Sequence, residues 1–458
     1  MSDDITQQCA LFSNLLKKPV YAEFDQPDSS SDGGALLLKA CDQRLGLVDA
    51  IGASLRDERQ QSKVDHSAKE LVQQRIFGIA CGYEDCNDAA RLKHDPVQKL
   101  LADCDVKGEQ ELASQSTLSR FENMPKGRSL LRMGHALADC VIARHKKRLK
   151  RKVRRITIDM DPTDDPTYGH QQLTFFNSHY DNWCYLPVAC FLTFDDELDQ
   201  YLYAYVLRPG DATAHYGAIS ILRRTLSKLR QSFRGVALRV RLDGGFASPE
   251  VLAFLDDQGV EYVVAMAGNA VLKAQAEPLM KKARRLCKAS DQTEHIFAEC
   301  EYQAGSWDTE RRVIIKAEVV CHPGRHPKDN ARFVITNIKR RPQFVYRDIY
   351  CQRAPVENRI KELLYGLNID RTSCTRFFAN QFRVLLTASA YVLFQELRLK
   401  AKHTSLATAQ VTTLRERLIK LAVWVHSSTR RVVFHLPESA PWSTEWCQIA
   451  RTIGAIDP

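Results

Sequence analysis

The chain has 458 residues, 44% of them hydrophobic and 26% charged, a composition of ordinary globular type rather than a disordered or fibrous one. That length holds two or three domains and a sizeable core. A formal net charge of +10 and a pI near 8.9 favour polyanionic partners, meaning nucleic acid or an acidic membrane surface.

The N-terminal stretch MSDDITQQCALFSNLL lacks a basic region followed by a long apolar core, so no secretory signal is expected there. Residues 1–30 are polar, end in QPDSSSDGG and read as flexible. From 34 to 150 the pattern is helical. LLLKACDQRLGLVDAIGASL and KELVQQRIFGIACG both space apolar residues three and four apart. LASQSTLSRFEN (112–123) places Ser, Thr and Arg at a helix start, which suits phosphate contacts or simple capping. A helix over 128–150 runs into RHKKRLKRKVRR (144–155), read as a solvated helix end or a phosphate-contacting arm.

The pattern then changes to strands. ITIDMDPTDD (156–165) puts four aspartates at the end of a β-branched segment. YLPVACFLTF (185–194) and QYLYAYVLRPG (200–210) follow as a hairpin around DDELD. A helix at 214–233, the strand GVALRVRLDGGF, the helix SPEVLAFLDDQG and the strand VEYVVAMAG complete an α/β order around one mixed sheet. Residues 268–345 break that order, first helical and basic, then three strands, and read as a β-rich insertion. Helices at 354–366 and 375–401 resume it, followed by a helix near 408–420 and a hairpin, AVWVHSSTRRVVFHL. The apolar run VLLTASAYVLF (384–394) is too short to span a bilayer, so no membrane association is expected. The 14 cysteines show no CxxC spacing and read as reduced thiols in a cytoplasmic protein.

Three carboxylates stand out. Asp161 ends the first strand, with Asp159 two residues earlier on the same face. Asp243 ends a later strand, before two glycines that allow a sharp turn. Glu357 lies on APVENRIKELLYG, at the edge of a stripe made by Val356, Ile360, Leu363 and Leu364. Rigidly held carboxylates of this kind suit phosphoryl transfer with two divalent ions, because magnesium favours hard oxygen ligands. Each one alone is also explained by a turn or a surface ion pair, such as Glu357 with Lys361. Asp164 and Asp165 read as turn residues, and His170, His179 and His215 as satisfied or solvent-facing histidines.

Taken together, ITIDMDPT, VRLDGGFASPEVLAFLDDQGVEYVV, ARFVITNI and YCQRAPVENRIKELLYG resemble the DDE transposases of bacterial insertion sequences. The resemblance spans roughly residues 110–400. It implies an RNase H-like mixed-sheet catalytic core with a β-rich insertion, plus a helical N-terminal DNA-binding domain. The implied boundaries are 1–150 for the N-terminal domain, 151–267 and 346–402 for the core, 268–345 for the insertion and 403–458 for a C-terminal region. Asp161, Asp243 and Glu357 would hold two Mg2+ (or Mn2+) ions, with Asp159 as the alternative first carboxylate. Tyr350, Arg353 and Lys361 would bind DNA. Leu364 occupies the position of the signature lysine, and Lys361, one turn earlier, is the expected substitute. Trp307 is read as a hairpin or core residue, with stacking on an unpaired base as its functional alternative. The implied partners are the element's double-stranded terminal inverted repeats and target DNA, with a homodimer expected on DNA. The implied protein is cytoplasmic, bacterial and nucleoid-associated when bound. Two alternatives share the fold: a nuclease without strand transfer, and a catalytically inactive transposase-derived DNA-binding protein.

Overall fold

The computed structural model describes residues 9–149 and 153–456, so the middle of the basic run, Lys150 to Lys152, lies outside the described residues. Eight strands make one mixed sheet: β1 (Arg155–Pro162), β2 (Val188–Phe194), β3 (Tyr201–Val206), β4 (Ala237–Leu242), β5 (Glu261–Met266), β6 (Glu294–Tyr302), β7 (Arg311–Val320) and β8 (Lys328–Thr336). Their order is β6-β7-β8-β5-β4-β1-β2-β3. β4 runs parallel to both β1 and β5, and every other pairing is antiparallel. β1 and β2 are buried over most of their length, which is why they read as continuous apolar runs.

The three strands of the expected insertion do not form a separate sheet. β8 lies antiparallel to β5 with Met266 opposite Phe333, so the segment extends the central sheet by three strands. The pairing satisfies the outer edge of β5, which would otherwise present unpaired backbone groups. A long helix, Ala270–Ser290, covers one face of these strands through Met280, Ala283 and Cys287 against Ala317 and Val319. On the opposite face, Val345, Tyr346 and Ile349 pack over Val263, Ile314 and Val334. The connecting chain therefore crosses the sheet toward β4 and β1.

At the other edge, β3 is closed by the helix Phe377–Lys400. Gln381 accepts from the Leu207 amide at 2.8 Å, and Gln395 accepts from the Leu202 amide at 3.0 Å and donates to the Gln200 carbonyl at 2.7 Å. This helix is long and apolar enough to cross a membrane by length and composition, but 89% of its most apolar window is buried inside the protein. Helices apolar on all sides are buried, and this one is the axis of the core. The helices Ala68–Cys81 and Gly127–Arg148 pack against it, and Arg144 binds Glu396 through two contacts of 2.6 and 2.8 Å. Ser67 and Glu70 form a reciprocal cap at the start of the first of these helices.

The stretch expected to be flexible is not so at its end. Ser29–Ser30 pairs with the C-terminal hairpin strand Val423–Ser427. Asp32 is fully buried between Lys420 and Gln98, each at 2.8 Å. A Cβ on Gly34 would fall 1.6 Å from the Leu418 carbonyl oxygen, so SSSDGG is a packing closure between the two ends of the chain. A final helix, Ser443–Ile453, buries Ile449 and Ile453 and was not anticipated.

Candidate active site

The register of β1 and β4 sets the site. Asp159 lies opposite Arg241, which in turn lies opposite Val263 on β5. Arg241 donates from Nε and Nη2 to the two Asp159 oxygens, both at 2.7 Å, and from Nη1 to the Ile349 carbonyl at 3.0 Å. The Asp159 carboxylate is wholly buried and this fork takes both of its oxygens. Two residues further along each parallel strand come Asp161 and Asp243. The same alternation therefore puts them side by side on one face, at the ends of adjacent strands.

Arg353 lies between them. Its Nη2 is 2.5 Å from Asp161 Oδ1 and 3.8 Å from Asp243 Oδ2. Asp243 also accepts from the Gly245 amide at 2.9 Å, capping the turn Gly244–Phe246. Gly245 is required by proximity, since a Cβ there would meet the Ala214 methyl at 2.5 Å. Burial pushes the Asp161 carboxyl up to about 7; Arg353 opposes the rise, and the charges of Asp243, Glu357 and Asp159 add to it. Burial works against the charge of Arg353, but Asp161 and Asp243 outweigh it and hold the guanidinium above its ordinary value. Its Nε is buried with no hydrogen-bond partner among the described residues.

Glu357 stands on the helix Ala354–Lys361, which begins with Pro355 in its first turn and buries Val356 and Ile360. Glu357 itself is exposed, as is Lys361 one turn on. Leu363 is buried and Leu364 half-buried, as the apolar stripe requires. Tyr350 is half-buried against the Tyr346 ring at 5.5 Å. Burial raises its phenol, with Arg353 lowering and Asp243 raising it, so it shares the electrostatic environment of the site.

Tyr180 and Arg208, in this neighbourhood, carry no signal in the sequence, and Asp165 departs from its expected turn. Tyr180 is half-buried, and burial together with Asp164, Asp161 and Asp243 pushes its phenol up to about 12. Arg208 is buried and donates to the carbonyls of Leu186 and Ala214, both at 2.7 Å, and of Tyr216 at 3.1 Å. Burial lowers it to about 10. Asp165, expected in a turn, is fully buried, pairs with Tyr185 in a short strand and accepts from the Thr372 hydroxyl at 2.8 Å. Burial holds its carboxyl well above the ordinary value.

Trp307 is 7% exposed, with the Arg311 guanidinium 5.3 Å over its ring and the Tyr302 ring 5.5 Å away and nearly perpendicular. His170 and His179 are exposed, and His215 lies 3.2 Å from the Thr213 hydroxyl. Among the described residues no three His, Cys, Asp or Glu groups are gathered closely enough to hold a metal ion. Asp161 and Asp243 nevertheless offer hard oxygen donors and already share a cation, the guanidinium of Arg353. The donor chemistry therefore fits a divalent ion, with Arg353 in its way.

The family model described as "Transposase DDE domain group 1" matches residues 12–457. Among curated proteins nothing matches. Among solved structures, "Cryo-EM structure of piggyBac transposase synaptic complex with hairpin DNA" is similar at 11% identity, with a TM-score of 0.40, over 85% of this chain and 79% of that one.

Proposed function

The chain belongs to the DDE transposase family, and from that premise we propose that Asp161, Asp243 and Glu357 are its catalytic carboxylates. The substrate is the double-stranded DNA of the terminal inverted repeats, and the reaction is cleavage followed by in-line strand transfer to target DNA. The supporting observation is that Asp161 and Asp243 each follow the Met160–Leu242 pair at the ends of adjacent parallel strands and are bridged by one cationic group. In this reading β1 to β5 form an RNase H-like core, residues 268–345 an insertion continuous with its sheet, and the N-terminal helices a DNA-binding domain.

Asp161, Asp243 and Glu357 would hold Mg2+ or Mn2+, two ions in all. When bound, such ions polarise the phosphate oxygens and activate the attacking hydroxyl or water. The chain's own residues do the rest. Asp159 is given the role of orienting Arg241, and through the Ile349 carbonyl that pair fixes the segment carrying Tyr350 and Arg353. Arg353 leaves the aspartates and forks onto a phosphate near the scissile bond, exchanging one anionic partner for another. Tyr350 and Lys361 add further contacts to the backbone. Each chain treats one element end, and two copies are paired on DNA.

The test is cleavage of labelled element-end DNA in magnesium by the wild type and by Glu357→Gln. Cutting by the wild type, with a variant that binds but does not cut, is the expected result. Equal cutting by both removes Glu357 and the assignment with it. Appearance of joined product separates a transposase from a nuclease of the same fold.

A further inference from the structure

Between β1 and β2 the chain makes a small three-stranded sheet from Asp165–Pro166, Asn182–Tyr185 and Phe175–Asn177. Phe176 and Trp183 lie directly opposite one another across it, with ring centroids 6.4 Å apart and edge to face. They are 50% and 56% exposed, although aromatic rings of that size are normally driven inward. The hairpin is held firmly. Asn177 donates to the Gly210 carbonyl at 2.8 Å, the Thr167 amide to the Trp183 carbonyl at 2.9 Å, and the Tyr185 hydroxyl to the Gln172 carbonyl at 2.9 Å. Rigid anchoring with the rings left out is the construction of a contact surface rather than of a loose loop.

The hairpin is also continuous with the candidate active site. Its first strand, Asp165–Pro166, starts three residues after β1 ends at Pro162, beside Asp161, and pairs with Cys184 and Tyr185; the Thr163 amide donates to the Pro187 carbonyl at 3.1 Å, and Tyr180 in the turn shares the field of Asp161 and Asp243. Trp183 is the second residue of the strand that leaves that turn. We propose that Phe176 and Trp183 form a stacking platform for unpaired bases of the DNA strand that enters the carboxylate site. This rests on the reading of that site as a DNA-cleaving centre. Uncharged aromatic faces beside a phosphate-processing centre suit bases, because every base offers a π-face and stacking tolerates sequence.

The probes are a blunt 30-base-pair duplex and the same duplex with a six-nucleotide single-stranded tail carrying 2-aminopurine. Wild type should bind the tailed probe more tightly and quench its fluorescence. W183A and F176A should each lose about fivefold or more of that preference, keep affinity for the blunt duplex and leave 2-aminopurine unquenched. W183F should restore both. Thermal melting of each variant at the wild-type temperature confirms that half-exposed rings were removed without unfolding. An unchanged tail preference and quenching in W183A overturn the proposal. So does a shift of W183A from dimer to monomer in sedimentation with both DNA affinities intact, which assigns the rings to a second copy of the chain. If Glu357→Gln cuts like wild type while W183A loses the tail, the reading of the carboxylates fails and the platform stands.

Discussion

Asp159 and Asp161 are two residues apart on one strand face, and a single substitution at each distinguishes their roles. Asp159→Asn removes the charge that Arg241 grips through two 2.7 Å contacts. The two side chains are 0% and 6% exposed, so the abandoned guanidinium has no water to replace its partner. Breaking a buried pair in this way costs about 3–5 kcal/mol, which lowers the folded-to-unfolded ratio by roughly two to three and a half orders of magnitude. The drop should appear as a lower midpoint in guanidinium chloride at unchanged slope. Replacing both members, D159L with R241M, should recover much of it, because an apolar pair of similar volume leaves no stranded charge. Asp161→Asn should behave in the opposite way, folding normally and failing to cut. A stable, cleavage-dead Asp159→Asn together with an active Asp161→Asn would refute this division of roles.

Further outcomes follow from the same geometry. Asp161 has a folded value near 7 against an ordinary 3.8, so it contributes stability below about pH 4 that is lost as pH rises through about 7. Without metal, wild type should lose stability relative to Asp161→Asn across that window, as measured by melting at pH 5 and pH 8. Metal ligands must be deprotonated, so Mn2+ binding by calorimetry should strengthen from pH 6 to pH 8; a flat profile would exclude Asp161 as a ligand. Gly210→Ala should cost about 1–3 kcal/mol or more and expose the aromatic hairpin to proteolysis, since its Cβ would lie 2.0 Å from the Cys184 carbonyl oxygen. Glu362→Gln should destabilise by about 3–5 kcal/mol in denaturant titration, because buried Glu362 is the shared acceptor of Arg398, Arg359 and the Tyr391 hydroxyl.

The strands of the central sheet were legible because their β-branched and aromatic runs end at Gly, Pro and Asp. Asp161 and Asp243 are legible as strand-end carboxylates and Glu357 as one at a helix edge, while their grouping as a triad comes from the resemblance and is a proposal. What local pattern could not supply was pairing. Nothing in ARFVITNI says that it lies beside VEYVVAM, so the insertion read as a separate unit. Asp159 and Asp161 face the same way, and the resemblance favours Asp161 with Asp159 as its alternative; the fork between Asp159 and Arg241 becomes visible only once the strands are paired. YGHQQLTFFNSHYDNW lacks both the helical and the strand period and is rich in Gln, Asn and His, which hid a hairpin stapled by its polar side chains. SSSDGG carries a loop composition, yet its glycines serve close packing against the chain's other end.

The pairing of Met266 with Phe333 has a further consequence. The chain leaves the core after β5 and re-enters along β8 at hydrogen-bonded neighbours, so the length of the excursion is invisible to the strand that receives it. Segments could be lost or gained there over evolutionary time while the register of Asp161 and Asp243 stayed as it is.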